Sequence, residues 1–383
     1  MTIPGSGATV VVVGAGNIGS RTVPLVARLG AVARLVIIDR DAFDASNLAT
    51  QAIVPADVGR AKAYAAAAHA RAIRPSLAVE AFASPLEDVP RGVFLDADLV
   101  LGALDGREAR RTLAEIAFRT GTPLLDAGVD GAALLARVTA WDATPDAPCF
   151  ECAWGDDDYR AVALEQPLPC AGEPRASAPT NAPAALGALA ASLQVLEGLK
   201  RLAGQEARLP AGHEVMIDAT SHAHLKSSVR RNPRCRFDHA TWPITPLDAS
   251  PADLTLGAAL ALPGVDGGAR LAVHGQRFVT SLRCAACGAG GPLRLPRLRV
   301  SLAAGELRCR ACAASMAPSG FDLSERLDVS RDDPSARELR AVTLQALGLR
   351  PREIFTVLHE GGATHFVLAK ARRPAAVREV DNG

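Results

Sequence analysis

The chain has 383 residues, in which 42 lysines and arginines nearly balance 41 aspartates and glutamates, for a net charge of +1. This length predicts two or three domains, and the near-neutral charge argues against a dedicated nucleic-acid-binding protein. An apolar fraction of 49% and a charged fraction of 22% exclude a disordered or fibrous chain.

The sequence gives no sign of export or of a membrane span. The apolar run near the start has no basic segment before it. The longest apolar segment, around residues 183–200, is rich in alanine and contains Gln194, so we expect a buried helix. Six of the eight cysteines stand in CxxC pairs, a metal-type spacing, which favours a reducing cytosol over disulfide bonding.

Apolar runs alternate with helical segments along the first half of the chain, which predicts a parallel sheet covered on both faces. The fold class is therefore α/β, with a Rossmann-like doubly wound sheet. Residues 143–180 are rich in Pro, Asp, Gly and Cys, so we expect a long loop there. Strands are predicted at 8–13, 34–39, 77–81, 97–104, 123–127 and 214–218, and helices from 19 to about 30 and at 59–73, 107–120 and 183–203.

Short segments with frequent Pro and Gly begin near residue 243, and a second break falls at 328–336. We therefore predict a nucleotide-binding domain over 1–242, a cysteine-containing domain over 243–330 and a small α/β segment over 331–383. In the last segment the pattern predicts a helix at 336–347 followed by strands at 353–358 and 364–369.

Three glycines, Gly14, Gly16 and Gly19, stand between the first strand and the first helix. Glycines there let a backbone approach phosphates, whose charge the helix N-terminus favours. Asp39 ends the next strand, where it is placed to accept hydrogen bonds from a ribose. The pattern predicts a nucleotide-binding site, and the enzymes in which this pattern is most often found are nicotinamide dehydrogenases.

Four further motifs follow the glycine loop: Asp39-Arg-Asp41, Ser46-Asn47-Leu48-x-x-Gln51, Gly59-Arg-Ala-Lys62 and Leu104-Asp105-Gly-x-x-x-Arg110. With these motifs the chain resembles the ThiF/MoeB/HesA family, relatives of the ubiquitin-activating enzymes, over about residues 8–240. The resemblance implies ATP-dependent adenylation of a carboxylate, with Asp39 on the ribose, Asn47 and Lys62 on the phosphates and Asp105 holding Mg²⁺. It extends the nucleotide site to Asp41 and Ser46, and it makes Lys62 and Asp105 catalytic.

Two of these residues also have simpler interpretations, since Lys62 could be a solvated helix residue and Asp105 a helix N-cap. The chain also departs from the family pattern, because Thr50 stands where an arginine is usual. Arg21, Arg60 or a partner chain could take over that charge.

Two cysteine sets have the spacing of zinc ligands. In the family a CxxC pair and a later pair hold a structural zinc, and here Cys149 and Cys152 are followed by Cys235 in an Asn-Pro-x-Cys context. Asp238 stands where the last cysteine is expected, so His239 is the predicted fourth ligand and Asp238 the weaker choice. A redox role for this CxxC is the alternative.

The second set lies beyond the region of resemblance. Cys284 and Cys287 are followed 21 residues later by Cys309 and Cys312, as in a zinc ribbon, so we expect two Zn²⁺ per chain. The arginines between the two pairs suggest a structural or protein-binding module, and nucleic acid is not the expected partner.

Cys170 belongs to neither set. Some family members have a cysteine in this loop that receives the activated acyl group, which makes Cys170 a candidate catalytic residue. A free cysteine without a role is the alternative.

The resemblance implies an adenylyltransferase acting on a ubiquitin-like or sulfur-carrier protein with a free C-terminal glycine, as a homodimer. Alternatives are a peptide-modifying member of the family, a non-catalytic ThiF-like scaffold and, most distantly, a nicotinamide dehydrogenase.

Overall fold

In a computed structural model, the structure describes residues 7–144, 146–165, 182–205, 208–262, 269–318, 320–328 and 334–369. Contacts divide the chain into two units. The first combines the residues up to Val89 with Val93–Trp242, and the second combines Pro90–Gly92 with the residues from Pro243 onward.

The first unit is built on a mixed eight-stranded sheet in the order β3-β2-β1-β4-β5-β6-β7-β8. The strands from β3 to β5 in this order are parallel, as predicted, whereas β6, β7 and β8 join antiparallel. The sequence analysis predicted a parallel sheet, and this is wrong for the last three strands, so the sheet is mixed. Its strands are β1 Ala8–Val13, β2 Val32–Ile38, β3 Ala78–Phe82, β4 Leu99–Gly102, β5 Leu124–Asp130, β6 Leu135–Trp141, β7 His213–Asp218 and β8 Ala223–Ser228.

Helices cover both faces of the parallel strands, which explains why those strands are apolar without alternation. Val10 and Val12 of β1 pack into one core with α1, α2 and α6, and Val11 and Val13 pack into another with α4. The helices of this unit are α1 Gly19–Ala27, α2 Lys62–Ile73, α3 Gly92–Leu95 (which begins on a residue of the second unit), α4 Arg107–Thr120, α5 Asp156–Glu165 and α6 Ala184–Leu202.

The helix α5 lies inside the region that was expected to be a long loop. Its first turn carries Asp156, Asp157 and Asp158. Acidic side chains stabilise a helix N-terminus electrostatically. The same three aspartates make the 143–180 stretch polar, and this polarity was part of the reason for predicting a loop there.

The second unit contains two sheets. The larger has the order β15-β10-β16-β17-β9, and the smaller pairs β11 with β12 on one side and with β13 and β14 on the other. The elements are β9 Ile244–Leu247, α7 Leu256–Leu260, β10 Arg270–Ala272, β11 Phe278–Cys284, β12 Gly290–Leu298, β13 Met316–Ala317, β14 Leu323–Ser324, β15 Arg326–Asp328, α8 Pro334–Arg340, β16 Ile354–His359 and β17 Gly362–Leu368.

The final segment, described over residues 334–369, shares the core of this unit. Strand β17 pairs with β9, and β16 pairs with β10. Phe355 and Phe366 pack in one apolar cluster with Leu256 and Leu271. The helix and two strands expected in this segment are present, with α8 ending earlier than predicted.

Candidate functional site

The glycine loop directly follows β1. Gly14 has φ +94°, and a Cβ there would lie 2.5 Å from the carbonyl oxygen of Ala103. A Cβ on Gly19 would lie 1.8 Å from the carbonyl oxygen of Gly14. Gly16, in contrast, faces open space. Gly14 and Gly19 thus allow the chain to pack closely, and Gly16 leaves the loop backbone open to a ligand.

Asp39 follows β2 and is held against this loop. Its carboxylate accepts hydrogen bonds from the backbone N–H groups of Ala15 (2.6 Å) and Asp41 (2.8 Å). Burial raises the pKa of Asp39, while these hydrogen bonds and the charge of Lys62 oppose the shift. A carboxylate therefore lies beside the loop, where a ribose was expected.

Lys62 begins α2 and is only 9% exposed. Its Nζ lies 3.5 Å from a carboxylate oxygen of Asp41 and 5.8 Å from the centre of the Phe43 ring. A backbone hydrogen bond between Phe43 and Arg60 holds the segment that contains Asp41 next to the start of α2, where Lys62 lies. Lys62 is thus a buried cation rather than a solvated helix residue.

Ser46 and Asn47 form a short 3-10 turn capped by Asp44. The Asp44 carboxylate accepts hydrogen bonds from the N–H and the hydroxyl of Ser46, and the side-chain oxygen Oδ1 of Asn47 accepts from the Asp44 N–H. The Ser46 hydroxyl is thus engaged within the turn. The Asn47 amide nitrogen donates to no described residue.

The backbone around Thr50 contacts an arginine from another element. Arg21 of α1 donates to the carbonyl oxygen of Thr50 (2.9 Å) and to that of Asn17 (2.7 Å), and burial lowers its pKa. Arg60 instead pairs with the buried Asp57 at 3.0 Å. Of the two arginines considered for the charge missing at Thr50, Arg21 is the one beside that residue.

Asp105 lies just beyond β4, and its side chain is exposed. The N-cap of α4 is Gly106, without a side-chain cap, so Asp105 does not cap this helix. Its carboxylate makes no hydrogen bond or ion pair within the described part of the chain. It is therefore available to a cation such as Mg²⁺.

A buried charge network that the sequence analysis did not identify joins β5 to α4 and β6. Asp126 of β5 is 2% exposed and pairs with Arg110 of α4 at 2.7 Å and Arg137 of β6 at 3.8 Å. Gly128 leaves room for both guanidinium groups. An acidic residue inside a buried strand was the available signal, since such a residue is rarely buried without a partner.

Cys149, Cys152, Cys235 and His239 come together as predicted. Their ligand atoms all lie within 4.8 Å of one another, including sulfur–sulfur distances of 3.8 and 3.6 Å. Tetrahedral zinc–thiolate bonds of about 2.3 Å place two sulfurs about 3.8 Å apart. The set fits zinc, and burial together with the neighbouring thiols raises the pKa of Cys149 in its absence.

His239, not Asp238, completes this set. His239 has φ +56°, a left-handed backbone conformation that is rare for a residue with a side chain. Its Nε2 lies 3.1 Å from the Cys152 sulfur. The Asp238 carboxylate instead accepts hydrogen bonds from Arg119 (2.6 Å) and the Ala240 N–H (3.0 Å).

The second cysteine set joins two turns of the second unit. The sulfurs of Cys284 and Cys312 are 3.5 Å apart, those of Cys287 and Cys309 are 3.6 Å apart, and all four lie within 4.8 Å. Backbone N–H groups of Cys312 and Ala311 lower the pKa of Cys309 to about 7. This favours the thiolate, which is the form that binds zinc. Cys170 lies outside the described residues.

The strand order, the glycine loop and the acidic residues at the ends of β2 and β4 define a doubly wound α/β protein of the type in which ligands bind at the carboxyl ends of the strands. The chain belongs to the ThiF family, whose model matches residues 6–237.

Two relatives are each 30% identical to the chain. One is the SAMP-activating enzyme E1 of Haloferax volcanii, aligned over 59% of this chain and 78% of the relative. The other is the sulfur carrier protein adenylyltransferase of Thermus thermophilus, aligned over 60% and 81%. A crystal structure of E. coli MccB with succinimide is 19% identical, with a TM-score of 0.48 over 60% of this chain and 66% of that one. No helix in the described ranges is long and apolar enough to cross a membrane.

Proposed function

We propose that this protein uses ATP to adenylate the C-terminal carboxylate of a ubiquitin-like or sulfur-carrier protein ending in glycine. The observation that carries the proposal is the convergence of Gly16, Asp39, the buried Lys62 and Asp105 at the carboxyl ends of β1, β2 and β4. In doubly wound sheets, ligands bind at this edge. The names of the two sequence relatives support the same reaction.

Features of the site itself are compatible with the binding of ATP and Mg²⁺. The loop is open at Gly16, and the side-chain oxygen of Gln51 is buried without a hydrogen-bond partner among the described residues. Asp105 offers a free carboxylate at the position proposed for the metal. When bound there, Mg²⁺ would neutralise phosphate charge.

In the proposed reaction, a carboxylate oxygen of the carrier attacks the α-phosphorus of ATP. The bond from that phosphorus to the bridging oxygen breaks, and pyrophosphate leaves with the electron pair. Asp39 binds the ribose and positions the nucleotide, with Asp41 and Ser46 in the surrounding turn. Asn47 and Lys62 donate to the phosphates, where a preorganised donor stabilises the charge of the transition state. Whether the acyl group then passes to Cys170 stays a prediction.

We further propose one structural Zn²⁺ in each cysteine set, and a homodimer in a reducing cytosol. The two close thiol sets support zinc binding. Oxidation of these thiols to disulfides would compete with metal binding, which is why we propose a reducing compartment. The homodimer is carried over from the family.

Pyrophosphate exchange tests the proposed activity. With small Gly-Gly-ending proteins of the same organism, the purified full chain should exchange labelled pyrophosphate into ATP. We expect Asp105→Asn to abolish exchange and Lys62→Ala to slow it by about 10²–10³-fold, since one preorganised donor is worth about that much.

The matched control is Lys226→Ala, because Lys226 is an exposed lysine on the edge strand β8. It should leave exchange unchanged. ATP binding in calorimetry without exchange by any such carrier would contradict adenylation of these carriers, and would favour the non-catalytic scaffold.

A further inference from the structure

The positive charge of the chain is concentrated in the ribbon that carries the second cysteine set. Residues 277–318 contain seven arginines and a single acidic residue, Glu306. This stretch alone has a net charge of +6, against +1 for the whole chain. The near-neutral total therefore conceals a strong separation of charge.

Strand register places three of these arginines on one face. Arg283 lies opposite Gly290 of β12 and Ala317 of β13, and Arg308 is bridged to Ser315. Arg294 follows Leu293, which points into the apolar cluster of the ribbon. Because successive side chains of a strand point to opposite faces, Arg294 lies on the side of Arg283.

The opposite face of this small sheet is the apolar cluster itself, which includes Leu282, Leu307 and Met316. Leu282 immediately precedes Arg283, and Leu307 immediately precedes Arg308. Arg283, Arg294 and Arg308 are all exposed, and we call these three residues the basic face.

The basic face is not neutralised by the protein. Two other arginines of the region have acidic partners: Arg297 pairs with Glu306, and Arg277 lies 3.5 Å from Glu325. Within the described ranges, no carboxylate pairs with Arg283, Arg294 or Arg308. Three exposed guanidinium groups therefore share a surface without a counter-charge.

The other side chains of this face indicate the kind of ligand. They are small, namely those of Gly290, Pro292, Ser315 and Ala317. A protein–protein interface usually has an apolar or aromatic centre with few charges, and this face has charges and no such centre. Arginines on a flat, small-residue surface are suited to a chain of phosphates, which guanidinium groups bind through paired hydrogen bonds.

A nearby aromatic residue adds a second type of contact. Leu323 of β14 pairs with Val279 of β11, and Thr280 donates to the carbonyl oxygen of Asp322. Phe321 is the next residue, and its side chain is fully exposed (102%). Phe321 precedes β14, which belongs to the same small sheet as the basic face, and an exposed phenyl ring there can stack on an unpaired base.

We propose that the ribbon binds single-stranded nucleic acid, with its phosphates on Arg283, Arg294 and Arg308 and a base on Phe321. The proposal goes beyond the proposed adenylation and does not depend on it, because every residue it uses lies in the second unit.

Fluorescence anisotropy with a labelled 16-nucleotide oligouridine tests the proposal on the full chain. Raising NaCl from 50 to 200 mM should weaken binding about 20-fold, as expected for three single-strand phosphate contacts. The triple variant Arg283→Gln/Arg294→Gln/Arg308→Gln should bind at least 10-fold more weakly, and its salt slope should fall by about 2. Phe321→Ala should weaken binding with an unchanged salt slope.

The matched control removes equal charge elsewhere in the same unit. Arg270→Gln/Arg277→Gln/Arg297→Gln takes away three arginines that have acidic partners. It should bind oligouridine nearly as well as the unmodified chain, with the same zinc content. No binding at 50 mM NaCl, an equal loss in both triple variants, or equally tight binding of polyglutamate would each overturn the proposal.

Discussion

Arg21 brings a positive charge next to Thr50, the residue that stands where the family usually has an arginine. Its guanidinium group contacts the backbone of Thr50, although the two residues are 29 positions apart. Arg60 is nearer to the motif in sequence, but it neutralises the buried Asp57. In addition to Lys62, Arg21 is therefore our candidate for a second positively charged residue at the phosphates.

We predict that Arg21→Gln weakens ATP binding by about 10–100-fold and leaves AMP binding nearly unchanged. A hydrogen bond to a charged group contributes about 1.5–3 kcal/mol, and AMP lacks the distal phosphates. Calorimetric titration of both nucleotides measures the difference. Arg60→Gln is the comparison and should preserve the ratio of the two affinities. Equal weakening of AMP and ATP by Arg21→Gln would show that Arg21 only supports the loop.

At the scale of elements, Gln194 links helix α6 to the edge of the sheet that carries the site. The side chain is fully buried, and its amide nitrogen donates to the carbonyl oxygens of Gly102 (2.8 Å) and Leu125 (2.9 Å). Thr22 of α1 donates to its oxygen at 3.1 Å. One polar side chain thus joins two helices to the ends of β4 and β5. The polar residue that interrupts this apolar helix is therefore a structural connection.

We predict that Gln194→Leu lowers the free energy of unfolding by about 2–4 kcal/mol. The substitution nearly preserves volume but leaves buried polar groups without partners, at about 1–3 kcal/mol each. Urea denaturation followed by circular dichroism measures the change. Leu196→Gln on the same helix is the control, because Leu196 is 55% exposed and its replacement should change stability by less than about 0.5 kcal/mol. A shift as small as that in Gln194→Leu would contradict the linking role.

At the scale of the whole molecule, each unit has its own cysteine set. Cys149, Cys152, Cys235 and His239 belong to the first unit, and the second set belongs to the ribbon of the second. Metal in one set should therefore stabilise one unit without requiring the other, since a small module gains folding free energy from its metal.

We predict two zinc ions per chain by elemental analysis of protein purified without added metal. His239→Ala should lower the count by one, because its imidazole completes the first set. Cys309→Ser should also lower it by one, by disrupting the ribbon. Asp238→Asn should retain both ions, since Asp238 is held by Arg119. Loss of an ion in Asp238→Asn but not in His239→Ala would mean that the wrong fourth ligand was chosen.

Short-range patterns in the sequence were sufficient to predict many of the structural elements of this protein. The strand, glycine loop and helix at residues 8–27, the helix α4 and both cysteine sets follow from apolar periodicity, glycine placement and spacing, all of which are local properties of a chain. The sequence also identified the two candidate fourth ligands, Asp238 and His239. Choosing between them required the backbone conformation of their turn, which brings the imidazole to the thiols and the carboxylate to Arg119.

Tertiary structure decided whatever depends on pairing between distant segments. The antiparallel addition of β6–β8, the pairing of Asp126 with Arg110 and Arg137, and the joining of the final segment to the core of the second unit all connect residues far apart in sequence. The seven arginines of the ribbon could be counted from the sequence, but only strand register separates those on the basic face from those with acidic partners. Register is set by side-chain packing between strands, and a shift of one residue would turn each arginine to the other face.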